Sequence, residues 1–386
     1  MSIPLAWLQL SREPVRFAVG IAGVAFAVIL MFMQFGFQSA LFDSATVLHE
    51  SLRADVFIVD KRTSALVSTG QFSRRLLVQT LENPSVLSGS ALYIAHANCR
   101  TQNVSQVRPI LVIGFNPTES VLNIAGFSES EASLKQEDCA LFDEKSRPEF
   151  GPIAKRFQRG DTTSLELSGR RLRVSGLFKL GVSFGADGTI IVSDTTFLKL
   201  FPSRRAGGVD IGALQLKKGA DVDSVCAQLK SELPDNVYVF SKAQFIRFEQ
   251  SYWRQSTAIG FIFRIGVVLG IVVGGVIVYQ ILYSEINDHL AEYATLRAIG
   301  YPTSYLQDVV FHQAIILAIL GFVPGTIVSA VLYQATMLAT GLPLSLDFSR
   351  GTLVVCLSLV MCCASGAIAT SRLRGADPAD AFSGSK

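Results

Sequence analysis

The chain has 386 residues, of which 49% are hydrophobic and only 17% are charged. Soluble domains carry about 25% charged residues, so this composition predicts a membrane protein that is soluble only in part. The net charge of +3 is too small to indicate a nucleic-acid partner.

The first apolar run follows a short amphipathic segment. Residues 1–16 alternate apolar and polar positions around Trp7, which predicts a cytoplasmic interfacial helix with its tryptophan at headgroup depth. Residues 17–37 carry no charge and are long enough to cross about 30 Å of hydrocarbon as transmembrane helix 1. A signal peptide is the alternative, but this run is longer than a signal core and no small-residue cleavage pattern follows it.

Three more spans are predicted near the C-terminus, at residues 257–283, 309–333 and 352–371. Arg12 and Arg16 precede the first span, and Arg372 and Arg374 follow the fourth. Positive residues flank the cytoplasmic ends of spans, and four spans place both termini on one side. We therefore expect a cytoplasmic N-terminus, a cytoplasmic loop over 284–308, a short periplasmic loop over 334–351 and a cytoplasmic tail over 372–386.

Residues 38–256 lie between the first two spans and are predicted to form a periplasmic α/β domain. Period-2 and period-3.6 patterns alternate through this region, which favours a mixed α/β fold. Strands are predicted at Asp55–Asp60, Ala91–Ala97, Pro109–Phe115, Thr189–Ser193, Ile211–Leu216 and Val237–Phe240, with a hairpin of Thr163–Leu167 and Arg171–Phe178. Helices are predicted at Phe72–Leu81, Asp194–Phe201, Asp221–Leu233 and Lys242–Arg254.

This domain shows no recognisable catalytic pattern. The sequence contains no GxSxG and no HExxH motif, and His49 and His96 are single and far apart. The acidic residues of one stretch are predicted to form a solvated loop: Asp138, Asp143, Glu144 and Glu149. We therefore expect a binding or force-transmitting domain, not an enzyme, with no metal or cofactor bound by this chain.

Cysteine spacing allows one disulfide bond but does not establish it. Three cysteines lie in the predicted domain: Cys99, Cys139 and Cys226. If the domain lies outside the cytoplasm, Cys99 and Cys139 are candidates for a bond, which leaves Cys226 over. Spacing alone does not fix that connectivity.

The second span carries a strip of glycines at Gly266, Gly270 and Gly274. Small residues four apart lie on one helix face and allow another helix to approach closely in lipid. The pattern predicts tight helix packing, and it leaves open whether the partner helix belongs to this chain or to a second copy.

A charged segment, Ser284–Tyr305, separates the second and third spans. On a helical wheel an acidic face is formed by Glu285, Asp288 and Glu292, and an apolar face by Ile286, Leu290, Tyr293 and Ala294 with Arg297 at its end. Gly300 and Pro302 then predict a helix C-cap and a stop. The pattern alone is consistent with a plain solvated connector or with a docking helix.

The layout of one span, a large external domain and three clustered spans resembles the FtsX/MacB-like permeases of ABC transporters. The stretches IPLAWLQLSREPVR, AGVAFAVILMFMQFGFQSALFDSA and EINDHLAEYATLRAIGY resemble, more specifically, the DevC-type permeases of heterocyst glycolipid exporters. That resemblance implies a homodimer in the bacterial inner membrane. It also implies a separate ABC ATPase that binds ATP and Mg, a periplasmic membrane-fusion protein, an outer-membrane channel and contact with membrane lipid.

The resemblance assigns a role to the charged segment. The sequence has no GxxxxGK[ST] loop, so the ATPase is expected on another chain. Glu285–Gly300 would then dock on it, with Ile286, Leu290 and Tyr293 in contact and the three acidic residues setting specificity. ATP-driven motion would expel a lipid-like or amphipathic substrate from the periplasmic side. An FtsX-like lipoprotein-extracting or signal-transmitting protein and a membrane receptor with a periplasmic sensing domain are the alternatives.

Overall fold

The structure is a computed structural model that describes residues 2–101, 104–119, 121–183, 185–205, 207–256 and 258–371. It divides into two compact units. The membrane unit contains the chain up to Ser39, Ile259–Leu338 and the chain from Leu344 onward. The α/β unit contains Ala40–Ala258 and Ala339–Pro343.

The chain begins with helix α1, Ser2–Arg12, and helix α2, Pro14–Ser51. A helix of 38 residues is about 57 Å long, whereas the hydrocarbon of a bilayer is about 30 Å thick. Helix α2 therefore extends well past the predicted span over 17–37, and its residues from Ala40 belong to the α/β unit.

The α/β unit is built from short strands and helices. The strands are β1 Val56–Asp60, β2 Phe72–Ser73, β3 Val86–Thr101, β4 Val104–Phe115, β5 Cys139–Asp143, β6 Ser164–Leu167, β7 Arg170–Phe178, β8 Thr189–Ser193, β9 Gly208–Val209, β10 Ile211–Leu216 and β11 Val237–Ser241. The helices are α3 Arg74–Thr80, α4 Phe127–Ser130, α5 Ile153–Gln158, α6 Asp194–Leu200, α7 Val222–Glu232 and α8 Lys242–Ser251, which a π-helical turn, Tyr252–Ser256, follows.

Nine of these strands form one sheet in the order β11-β1-β10-β3-β4-β8-β5-β7-β6. Strand β6 also pairs with β3, so the last six strands close into a ring. Strands β1 and β8 are buried along their whole length, because apolar clusters cover both of their faces. The predicted mixed α/β fold is confirmed.

The hairpin is the clearest local prediction that the structure confirms. Strands β6 and β7 pair antiparallel with Leu167 opposite Arg170, which leaves a two-residue turn. Ser168 and Gly169 in that turn have φ of 49° and 74°. Positive φ at both turn positions matches the twist of the flanking strands. Local chemistry alone was therefore sufficient to place this element.

The predicted acidic loop is wrong at Asp143. The stretch contains strand β5, and Asp143 at its end is fully buried. Its carboxylate accepts hydrogen bonds from the backbone N–H groups of Lys145, Leu180 and Gly181 at 2.8–3.0 Å. Burial raises the pKa of Asp143, and these three donors counteract that shift. The residue fastens the 180–181 turn to the sheet, whereas Asp138, Glu144 and Glu149 keep access to solvent.

The predicted disulfide between Cys99 and Cys139 is not formed in the structure, which holds both as buried free thiols. Cys99 lies on β3 and Cys139 on β5, and strands β6 and β7 separate them within the ring. Neighbouring strands are about 4.8 Å apart, whereas the Cα atoms of a disulfide lie within about 7 Å. The distance along the sheet explains why the bond does not form.

Four helices complete the membrane unit: α9 Ala258–Asp288, α10 Leu290–Ala298, α11 Thr303–Thr340 and α12 Phe348–Ser371. By length and composition, α2, α9, α11 and α12 are able to cross a membrane. The predicted fold class, four transmembrane helices with a large α/β domain between the first and the second, is confirmed. The tail over 372–386, with Arg372 and Arg374, lies outside the described residues.

Candidate coupling site

The charged segment between α9 and α11 folds as two helical pieces and a turn. Helix α9 continues to Asp288, and α10 follows after His289. Helix α10 ends with Gly300 at φ 105°, and the N–H of Tyr301 donates to the carbonyl of Leu296 at 3.1 Å. A left-handed glycine with this six-residue backbone bond is a Schellman ending. The C-cap that the sequence predicts is therefore present.

The apolar face of this segment is buried within the membrane unit. Ile286 is 2% exposed and Tyr293 is 1% exposed. The Tyr293 hydroxyl donates to Oε1 of Gln9 on α1 at 3.3 Å, and Nε2 of Gln313 on α11 donates to the same oxygen at 3.1 Å. Gln9, Tyr293 and Gln313 form what we name the amide cluster, which fastens α10 to α1 and α11.

This burial corrects the predicted docking face. Ile286 and Tyr293 are covered by the chain itself and are not accessible to a partner, while Leu290 is half-buried. The periodicity identified an apolar face correctly but did not reveal what covers it. The side chain of Arg297 lies outside the described residues.

The acidic face is largely engaged by neighbouring side chains. Asp288 pairs with Arg16 at the start of α2, and Arg16 also contacts Glu13 at 2.9 Å. His289 lies 3.4 Å from the carboxylate of Glu285 and 3.1 Å from that of Glu292. The Arg16 pairs are exposed and contribute little free energy each, so they orient the segment more than they stabilise it. Glu285, in contrast, is only 3% exposed.

The turn between α10 and α11 carries the exposed large apolar side chains of the described part of this segment. We name it the tip surface: Ile299, Gly300, Tyr301, Pro302 and Ser304, all exposed. Ile299 is 71% exposed and Tyr301 is 46% exposed. The ring of Tyr301 lies 5.0 Å from that of Tyr305, which orients it. The sequence signal for this surface was the Ile-Gly-Tyr-Pro run directly after the amphipathic helix.

The glycine strip packs inside the chain. A Cβ at Gly266 would lie 2.2 Å from Gln34, and one at Gly274 would lie 2.4 Å from Cβ of Ala27. Gly270 has Leu30 at 3.3 Å. All three contacts are to α2, so the structure places the partner helix in the same chain. Close approach of α9 to α2 requires the missing side chains.

The described residues contain no group of three or more His, Cys, Asp and Glu side chains able to hold a metal ion. The fold and the tip surface together define a multi-pass membrane protein in which a helical turn lies exposed between the second and third spans. Residues 264–378 match the family model of the FtsX-like permease C-terminal region. The match assigns this part of the chain, which holds the tip surface and the last two spans, to that region.

Comparison with curated proteins finds no match. Among solved structures, the chain is similar to the extracellular domain of the noncanonic ABC-type transporter YknZ from Gram-positive bacteria, at 12% identity and TM-score 0.33, over 48% of this chain and 98% of that one. It is also similar to the periplasmic region of MacB from Actinobacillus actinomycetemcomitans, at 9% identity and TM-score 0.35, over 53% of this chain and 95% of that one. A third similar structure is a domain of a putative permease protein from Porphyromonas gingivalis, at 13% identity and TM-score 0.32, over 50% of this chain and 89% of that one. Scores at this level carry no functional argument.

Proposed function

We propose that this chain is the permease subunit of an ABC exporter and that its tip surface docks on a separate ATPase subunit. The observation that supports this most directly is the exposed pair Ile299 and Tyr301 on a turn that is capped and held in place. Exposed aromatic and aliphatic side chains on a rigid turn suit a protein contact, because little conformational entropy is lost on binding.

The proposed orientation places the tip surface and both termini in the cytoplasm. Arg12 and Arg16 precede the first span, and the sequence places Arg372 and Arg374 after the fourth. Basic residues at these positions favour the cytoplasmic side. The α/β unit and the loop between α11 and α12 then lie on the periplasmic side of the inner membrane.

The proposed mechanism is mechanical. When the ATPase closes on ATP, it moves the turn at Gly300, and α10 follows because the amide cluster holds it to α1 and α11. The Asp288–Arg16 pair connects the same segment to the start of α2. Helix α2 contributes residues to both units, so it is a continuous element able to pass this motion on.

The substrate and the outer partners of the proposal come from the resemblance to DevC-type permeases. On that basis the permease works as a homodimer with a periplasmic membrane-fusion protein and an outer-membrane channel. It expels a lipid-like or amphipathic molecule, and ATP and Mg are bound by the ATPase. This chain would carry out no catalysis.

The test is to purify the tagged full-length chain from its native membranes and to measure ATP hydrolysis by the material that co-purifies. The double variant Ile299→Glu/Tyr301→Glu places two carboxylates on the tip surface without touching a buried side chain. The matched control is Leu346→Glu, which changes a side chain that is 44% exposed in the loop before α12.

We expect hydrolysis to accompany the wild type and the control and to be lost from the tip variant. Retention of the ATPase by a folded tip variant would contradict the docking surface. Absence of any ATPase from the wild-type preparation would contradict the permease role itself.

A further inference from the structure

Within the α/β unit, one face of α8 and the following π-helical turn carries Lys242, Phe245, Glu249 and Trp253, and the first three contact the end of α2. These residues recur every three or four positions, so they lie on one side of the helix. Nζ of Lys242 donates to the carbonyls of Glu50 and Leu52, both at 2.8 Å. The Phe245 ring packs edge-on against the ring of His49 at 4.4 Å. We name this the α2–α8 contact.

Two ionisable side chains are buried at its centre. His49 is 1% exposed and Glu249 is 2% exposed, and Nε2 of His49 lies 3.7 Å from Oε2 of Glu249. Oε2 accepts a hydrogen bond from the N–H of Leu66 at 2.9 Å, and Oε1 accepts one from Nε1 of Trp253 at 3.0 Å. A cavity of about 40 Å³ adjoins Glu249. Neither the function proposed above nor the motifs of the sequence account for this pair.

The burial of both groups limits how many protons the pair can hold. Two protons would leave an imidazolium without a counter-ion, and no proton would leave a lone carboxylate beside a neutral ring. An unpaired charge in such surroundings costs several kcal/mol, roughly, whereas one proton leaves the pair neutral overall. One proton is therefore the favoured occupancy while the α2–α8 contact is closed.

We propose that His49 and Glu249 share one proton, and that this sharing makes the α2–α8 contact independent of pH over the range in which either residue alone would titrate. The inference concerns only the α/β unit and does not depend on the transport role.

The pH independence of the α2–α8 contact follows from counting the protons that the pair holds when the contact is open. In water a glutamate has a pKa of about 4.3 and a histidine of about 6.5, so between these values the opened pair also holds one proton. Opening then neither takes up nor releases a proton, and its equilibrium has no pH dependence. Burial raises the pKa of Glu249 to about 7, which agrees with a protonated carboxyl in the closed contact.

Other ionisable groups lie on the same elements. Helix α2 carries Asp43 and Glu50, α8 and the turn after it carry Lys242, Arg247 and Arg254, and β3 carries His96. The Glu50 carboxylate accepts a hydrogen bond from Thr46, and Arg254 lies over the ring of Phe42. These groups are unchanged in the variants below, so they contribute equally to every comparison.

The experiment measures hydrogen exchange of the α8 backbone amides in the full-length chain in detergent micelles, from pH 5 to pH 6.5. Rates are divided by the intrinsic exchange rate at each pH, and α7 serves as the internal reference.

We expect protection of α8 in the wild type to be constant across this range. In His49→Gln only the glutamate titrates, so opening should increase about tenfold per pH unit as the pH rises. In Glu249→Gln only the histidine titrates, so opening should decrease about tenfold per pH unit as the pH rises.

The double variant His49→Gln/Glu249→Gln has neither titrating group and should show no pH dependence, which checks that the other ionisable groups contribute none. The opposite slopes of the two single variants are the result that a purely structural role for either residue would not produce. Slopes of the same sign in the two single variants would overturn the proposal. If His49→Gln does not fold, His49→Phe keeps the ring contact with Phe245 and replaces it. The wild type is decisive by itself if no variant folds, because a one-proton slope between pH 5 and pH 6.5 would also overturn it.

Discussion

Two buried polar groups hold helices together in the two units, and they use different chemistry. The amide cluster of Gln9, Tyr293 and Gln313 consists of side chains that are neutral near pH 7. Burial raises the pKa of Tyr293 further, so its phenol stays protonated. The His49–Glu249 pair consists of an acid and a base whose net charge depends on how many protons they hold, and burial raises the pKa of Glu249 to about 7.

The difference shows two ways of meeting the same requirement. A buried polar group must find a partner, because an unmet donor or acceptor costs about 1–3 kcal/mol. The hydrogen bonds of neutral amides and a phenol persist at any ordinary pH. An acid and a base avoid an unpaired buried charge only if their charges stay matched, which ties the α2–α8 contact to the number of protons that the pair holds. Tyr293→Glu and Glu249→Leu test this comparison directly, and Gly274→Ala and Gly300→Ala test the helix packing and the turn around the amide cluster.

The largest effect is expected for Tyr293→Glu. It would place a carboxylate in a buried site built for a neutral phenol, where the hydroxyl of Tyr293 now bonds to the amide of Gln9, and should destabilise the membrane unit by about 3–5 kcal/mol. The thermal unfolding midpoint in detergent micelles measures this. Ile299→Glu, on the exposed tip surface, should shift stability by only about 0.5 kcal/mol or less. Equal midpoints would show that Tyr293 is not a buried anchor.

Glu249→Leu is expected to cause the second-largest loss of stability. The leucine fills similar volume but removes the acceptor of the Leu66 N–H and the hydrogen bond between Nε1 of Trp253 and Glu249, at a cost of about 2–4 kcal/mol. His49→Leu should cost less, because the carboxyl of Glu249 can remain protonated and keep both bonds. Denaturant titration of the full-length chain compares the two, and the opposite ranking would contradict this account of the pair.

Gly274→Ala tests close helix packing in the membrane unit. The new methyl would lie 2.4 Å from Ala27 and 2.7 Å from Sδ of Met361, so we expect a loss of about 1–3 kcal/mol. The neighbouring Gly275→Ala is the matched control, since its methyl would have ordinary contacts of 3.5 Å or more. Thermal unfolding should separate the two variants, and a stable Gly274→Ala would show that α9 and α2 do not approach this closely.

Gly300→Ala is expected to have the smallest effect. Nothing would contact the new methyl, but φ of 105° strains a residue that has a Cβ, by about 1 kcal/mol. Gly351→Ala also adds a methyl in open space, but within a regular helix, and should stabilise by up to about 1 kcal/mol. We expect Gly300→Ala to lower the unfolding midpoint and Gly351→Ala to raise it. If both variants had higher midpoints than the wild type, the left-handed turn at Gly300 would not be maintained.

Several features were accessible from the sequence because their causes are local. Long apolar runs identified the four spans, and the Ser168–Gly169 turn identified its hairpin. Gly300 identified the end of α10. Strand β5 was missed because it is short and lies among acidic residues, which conceals the burial of Asp143.

The sequence by itself determined the class of the protein: hydropathy, turn residues and helix periodicity specify four spans, an α/β domain and an amphipathic segment between the second and third spans. Only the tertiary structure decided that Ile286 and Tyr293 face the chain's own helices, that the tip surface is what remains exposed, and that His49 meets Glu249. The physical reason is that periodicity specifies which side of a helix is apolar. What covers that side, and which distant polar group becomes its neighbour, depends on contacts between residues far apart in the chain.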